Sequence, residues 1–221
     1  MKIVIMSANL GGIDVLKQSH VQQNIPPDWG LEYKYFNDLN VVPRPMSFHP
    51  RVQCKIFKMC GFNYVENADL IIWLDGSWLI TSPNFVTWMV EKLGSKDLCL
   101  MPHDNRKSIV SEAKFIVDEI SKGNQYLKVR YGGEPFDNQI TDYFKDKTFK
   151  DNCLAATGCF IYKPTDKIKE AFKDWLLENI IHTNMDQVSL PYILHKHNID
   201  SAWLDCGVAN CPYMRFSGHI K

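Results

Sequence analysis

The segment from Ala68 to Leu74, ADLIIWL, constrains this chain more than any other. It is nearly continuously apolar, and its core from Leu70 to Leu74 is far too short to span a bilayer. A strand with no polar face needs cover on both sides, so the run predicts a central strand in a sheet flanked by helices. It ends abruptly at Asp75-Gly76-Ser77. That places a carboxylate at a strand's carboxyl end with open backbone beside it, where ligands bind in α/β sheets.

The neighbouring segments alternate in the same way. Lys2–Met6 reads as a buried first strand feeding a loop from Ser7 to Gly12, with a helix over Ile13–Gln22. Glu32–Phe36 reads as a second strand closed by Asn37-Asp38. Pro43, Pro45 and Pro50 make Asn40–His49 a loop, and Pro50 suits the first turn of a helix through Arg51–Cys60. Further helices are expected over Pro83–Leu93, Ser111–Ser121 (with Phe115 and Ile116 inward), Thr165–Asn179 and Asp186–His195. Strands are expected at Leu98–Met101 and Cys159–Tyr162. Gly123–Asn152 is polar and less periodic, giving loops and a helix over one rim, and the tail from Trp203 is irregular. The expected class is α/β, with a mostly parallel sheet whose carboxyl edge carries Asn9, Asp38, Asp75 and His103. Without a repeat or a Gly/Ser linker, residues 1–221 are read as one domain.

Composition excludes several functions. Twenty-five basic residues balance 25 acidic ones, unlike a protein that lives on nonspecific contact with nucleic acid. With 45% hydrophobic and 23% charged residues the chain is an ordinary globular sequence. The start MKIVIMSANLGG has too short an apolar run for a signal peptide, and no membrane segment follows. Seven cysteines without a C-x-x-C pair point to reduced thiols in a cytoplasmic compartment. Cys206, Cys211 and His219 lack the fourth ligand and the spacing of a zinc site, so the thiols read as structural.

Four features carry candidate chemistry. Asp75 with Ser77 offers oxygen ligands for a hard divalent cation, or Asp75 is a turn residue holding its own backbone. From Leu39 to Val65 there is no acidic residue but four basic ones, and Arg51, Lys55 and Lys58 share a helix face suited to a pyrophosphate. A solvated helix face is the plain alternative. Asp186 and Gln187 open a helix, Asp186 as an N-cap, as a ligand to sugar hydroxyls, or as a base. His103-Asp104 is a loop pair or a substrate contact, and His219 is a solvated tail residue or a metal ligand. Gly11-Gly12 fits neither a dinucleotide fingerprint nor a P-loop.

The stretch Pro50-Arg51-Val52-Gln53-Cys54-Lys55-Ile56-Phe57-Lys58, followed by Ala68 through Gly76, resembles the GT-A glycosyltransferases once grouped as domain of unknown function 616. In that family an Arg-rich helix precedes an I-W-[IV]-D-G strand end. The likeness continues through His103-Asp104-Asn105-Arg106 with Glu112 and through Met185-Asp186-Gln187-Val188-Ser189, and so covers Phe48 to Leu194. The tail Phe216-Ser217-Gly218-His219-Ile220-Lys221 is similar to that of retaining GT-A families. The size and the start Met6-Ser7-Ala8-Asn9 are similar to transferase domains that build chlorella-virus capsid glycans. One departure stands out: the usual D-x-D is Asp75-Gly76-Ser77.

The resemblance implies a GT-A fold, with residues 1–100 as nucleotide-binding half and 101–221 as donor-sugar and acceptor half. It implies a hexose or deoxyhexose moved from a UDP-sugar to a glycan or glycoprotein acceptor. Mn²⁺ or Mg²⁺ would be held by Asp75, Ser77 and His219. Ser7, Ala8, Asn9, Leu10 and Asp38 would frame the uridine, and Arg51, Lys55, Asp75, Gly76 and Ser77 would bind the rest of the nucleotide. His103, Asp104 and Asp186 would lie near the donor sugar, with Asp186, Gln187 and His103 in catalytic roles. Asp186 would be the base of an inverting reaction, whereas Gln187 and the tail suit a retaining one. Two other functions fit parts of the sequence. A sugar nucleotidyltransferase would carry cations after the first strand, and Ser7–Asp14 has none. An inactive carbohydrate-binding module would expose aromatics, with Trp29, Trp78, Trp88 and Trp203 as candidates.

Overall fold

The computed structural model describes residues 1–14 and 20–217. A six-stranded mixed sheet has the order β2-β1-β3-β6-β5-β7, built from β1 (Lys2–Asn9), β2 (Gly30–Asn37), β3 (Leu70–Leu74), β5 (Leu98–Pro102), β6 (Ala155–Tyr162) and β7 (Ala202–Trp203). Of these six, β6 alone runs opposite to the rest, pairing antiparallel with β3 and β5. A second small sheet joins β4 (Trp78–Ile80) to β8 (Met214–Phe216). The α/β class with a mostly parallel, mixed sheet is as expected.

Alternation along the strands builds the layers. Val4, Met6 and Ala8 of β1, Ile71 and Trp73 of β3, and Phe160 and Tyr162 of β6 pack on one face. That face is covered by α1 (Pro50–Met59), α6 (Asp166–Ile181) and α7 (Asp186–Lys196). The intervening Ile3, Ile5, Leu70, Ile72, Leu74 and Ile161 face α2 (Phe85–Leu93) and the small sheet. Full burial of such a side chain is worth about 1.5–3 kcal/mol at most. Both faces of β3 are therefore committed, and the residue after it is held in place.

Some expectations shift. Ser7, Ala8 and Asn9 are the last residues of β1, in register with Tyr35, Phe36 and Asn37, instead of a loop. Half of the expected Ile13–Gln22 helix lies outside the described residues, and 13–14 and 20–22 are not helical. The 123–152 segment holds two short helices, α4 (Gln125–Tyr131) and α5 (Phe136–Tyr143), beside α3 (Ile109–Ser121). Ile116 is buried, but Phe115 is exposed, with the Arg106 guanidinium 3.9 Å above its ring. Successive helix residues are about 100° apart, so the two were never going to share one inward face. Asp186 is the first helical residue and Met185 the cap, so Asp186 is not an N-cap.

Candidate functional site

The site grows from α1. His49 caps it, its Nδ1 accepting the Arg51 N–H at 3.1 Å, and Pro50 fills the first turn. Helical spacing then puts Arg51, Lys55 and Lys58 on the side facing the end of β3. Lys55 and Lys58 are almost fully buried. Lys58 Nζ lies 2.6 Å from Asp186 Oδ2, 3.3 Å from Asp75 Oδ1 and 3.4 Å from Thr157 Oγ1. Lys55 Nζ lies 3.4 Å from Asp186 Oδ1. Asp75 Oδ1 also accepts the Trp73 indole N–H at 2.6 Å, and its backbone N–H donates to Gly158 O at 2.8 Å.

Burial and partners set the charges. Burial alone raises the Asp186 carboxyl, but Lys55 and Lys58 outweigh it and hold Asp186 well below the usual carboxylate range. Burial works against the Lys58 charge, and Asp186 and Asp75 more than compensate, keeping its pKa above the ordinary lysine value. Lys55 has only the longer contact to Asp186, and burial leaves it below the ordinary value. Asp186 also stands at a helix N-terminus, where a carboxylate is favoured by the backbone dipoles.

These groups line an open cleft of about 120 Å³ at the carboxyl edge of the sheet. Ala8, Asn9, Leu10, Arg51, Lys55, Asp75, Gly76, Ser77 and Asp186 all contribute to its wall. So do Lys58, Asp14, Arg130, Tyr131 and Asn184. The sequence nominated Lys58 only as part of the cation face. Arg130 and Tyr131 arrive on α4, from the segment with the weakest periodicity. Asn9 braces one rim, its Oδ1 and Nδ2 bonding the Asp14 N–H and C=O at 3.1 and 2.5 Å. Gly76 is forced by crowding: a Cβ there would lie 2.8 Å from Ala8 O and 2.7 Å from Asp14 Oδ2.

Other nominated residues stand elsewhere. Ser7 is buried and Asp38 exposed, and neither lines the cleft. Asp38 accepts the Gly11 N–H at 2.7 Å and pairs with Arg44. Gln187 donates to Ala155 O at 3.3 Å beside the cleft. His103 and Asp104 follow β5 and are also off its wall. His103 Nδ1 accepts the Asn105 and Arg106 N–H groups at 3.2 and 3.1 Å, and Asp104 accepts the Ala209 N–H at 3.1 Å. His219 lies outside the described residues.

A divalent cation needs several hard oxygen ligands. Among the described residues no three His, Cys, Asp or Glu side chains converge to hold an ion. Asp75 Oδ1 is engaged by an indole N–H and an ammonium, and Ser77 is 2% exposed. The described donor set does not fit such a cation.

No protein-family model and no curated protein sequence matches the chain, so the likeness to domain of unknown function 616 rests on the residues quoted above. Among the described residues no helix is long and apolar enough to cross a membrane. Several solved structures are similar to it over most of its length. Mouse xyloside xylosyltransferase 1, in its apo form, matches at TM-score 0.49 and 8% identity, covering 93% of this chain and 86% of that one. A glycosyltransferase involved in glycosylation of the major capsid of PBCV-1 matches at 0.46 and 8%, covering 92% and 81%. The galactosyltransferase LgtC, in complex with donor and acceptor sugar analogs, matches at 0.40 and 11%, covering 92% and 73%. At these identities and TM-scores the likenesses carry no functional argument.

Proposed function

We propose that this chain is a GT-A-type glycosyltransferase that moves a hexose or deoxyhexose from a UDP-sugar to a glycan or glycoprotein acceptor. The observation that carries the reading is the cleft at the carboxyl edge of the sheet, where the cationic face of α1 meets Asp75 and Asp186. Glycosyl transfer develops positive charge on the sugar and negative charge on the departing diphosphate. Arg51 and Lys55 suit the diphosphate, and Asp186 suits the sugar hydroxyls or the developing cation. Ala8, Asn9 and Leu10 suit the nucleoside end.

Asp186, held ionised by two lysines, is a poor proton acceptor at neutral pH. That supports retention of configuration over an inverting reaction with Asp186 as base. The inactive sugar-binding module finds less support, since Trp78 and Trp88 are each only 4% exposed and are part of the core.

The test is a thermal-shift screen of UDP, GDP and CMP and their sugars, followed by donor hydrolysis. UDP is expected to raise the melting temperature, and Asp75→Ala, which removes one of the carboxylates holding Lys58, to reduce the rise. UDP-sugars are expected to be hydrolysed slowly. Absence of any shift with every nucleotide sinks the reading, and glycan binding without turnover makes the chain a binding module.

A further inference from the structure

We propose that this site binds its diphosphate without a divalent cation, the Lys58 ammonium filling the seat between two carboxylates that such an ion would take. The inference rests on the nucleotide-sugar reading and names how that site meets its ligand's charge.

The geometry supports it in three ways. First, Asp75 from the end of β3 and Asp186 from the start of α7 converge on one point, as carboxylates do around a shared ion. The group at that point is Lys58 Nζ, at 3.3 and 2.6 Å. With the contact to Thr157 Oγ1 all three ammonium donors are engaged. Burying two lysines beside two aspartates is costly unless the charges are matched, and here they match two to two.

Second, two further cations, Arg51 and Lys55, can reach an anion. Arg51 lines the cleft, and among the described residues its guanidinium makes no hydrogen bond or ion pair. Among the described residues Lys55 makes one ion pair, to Asp186 at 3.4 Å, so two of its three donors remain. Third, the wall has the sign of an anion site. It holds four basic residues (Arg51, Lys55, Lys58, Arg130) against three acidic ones (Asp14, Asp75, Asp186) among the described residues. A metal seat has the opposite bias, with carboxylates in excess until the ion arrives.

The experiment is calorimetric titration of UDP into the full chain, once in EDTA and once with Mn²⁺ in excess. The expected result is that the two dissociation constants agree within about threefold. Lys55→Gln and Arg51→Gln, both able to fold without orphaning Asp75, should each weaken binding about tenfold or more in either buffer. Lys58→Ala should lose binding in EDTA and regain part of it with Mn²⁺, because the vacated carboxylates are then free to hold the ion. Binding that appears only with Mn²⁺, or Lys55→Gln and Arg51→Gln that leave the EDTA affinity unchanged, would overturn the inference while the nucleotide-sugar reading stands. No UDP binding in either buffer removes the reading itself, and this inference with it.

Discussion

Two charged clusters stand at the carboxyl ends of strands in the same sheet, and they differ in what their charges are free to do. After β3, Asp186, Lys55 and Lys58 form a buried network with the half-exposed Asp75, and Arg51, without a hydrogen bond or ion pair among the described residues, lines the cleft with Lys55. After β5, His103, Arg106 and Glu112 close on one another: Arg106 pairs with Glu112, and its Nη2 meets His103 Nε2 at 3.1 Å. Asp104 is turned to the 207–210 loop, accepting the Ala209 N–H. The second cluster has satisfied its charges internally. Position at a strand end is therefore not enough to make a site: unspent hydrogen-bonding capacity facing a cavity is the difference.

Breaking the buried pair should give the largest effect. Asp186→Asn leaves two buried lysines short of a carboxylate and is expected to cost about 3–5 kcal/mol, read from urea unfolding. If stability barely moves, the network is more solvated than its burial implies. The matched change in the other cluster, Glu112→Gln, removes the partner of a half-buried arginine. A loss of about 1–3 kcal/mol is expected, with UDP affinity unaltered.

A pair of glycines sharpens the contrast with a single type of change. A Cβ on Gly158 would lie 2.6 Å from Trp78 Nε1 and 3.4 Å from Asp75 Oδ2, and one on Gly207 would collide with Asp104. Gly158→Ala and Gly207→Ala should each cost about 1–3 kcal/mol by overpacking. Only Gly158→Ala should also weaken UDP, because only it disturbs Asp75. Equal effects on UDP would erase the distinction between the clusters.

The smallest effect is in pH dependence. Burial holds His103 below the ordinary imidazole value, so on unfolding below about pH 6.5 it takes up a proton that the native state excludes. Its contribution is thus complete above the unfolded pKa and lost as pH falls. His103→Asn should flatten stability between about pH 7 and 5 relative to the parent. The Asp186 cluster should add nothing in that window, since its carboxylate stays ionised until far more acid conditions.

Local pattern was enough for some of this and not for the rest. The apolar run before Asp75 and the four- and three-residue spacing of Arg51, Lys55 and Lys58 are short-range signals, and the structure brings those residues to one cleft. Asp75 and Asp186, 111 positions apart by their numbers, both read as element ends, which a sequence can show. Their shared contact to Lys58 is tertiary, and nothing in either segment encodes it. Arg130 and Tyr131 were invisible because the 123–152 segment folds over the cleft through contacts made elsewhere. The pairing of His103-Asp104 with Asp186 failed to materialise for a similar reason: both follow or begin elements at the same edge, but the 204–210 loop and Arg106 claim them first. The direction of β6 is equally unreadable, since an apolar strand looks the same in either orientation.

That reversed strand has a consequence for how the cleft can be altered. A parallel neighbour of β3 would deliver its exit to this edge, and its next residues would lead away into a helix. Because β6 arrives instead, its first residues, from Ala155 to Gly158, stand beside Asp75, and the chain then withdraws into the core. The strand that ends at Asp75 is thus pinned at both flanks by pairing with β1 and β6, while another part of the cleft wall comes from a short surface helix, α4. Changes in what the cleft accepts have room to accumulate on the α4 side, where Arg130 and Tyr131 reach in, and very little room on the other.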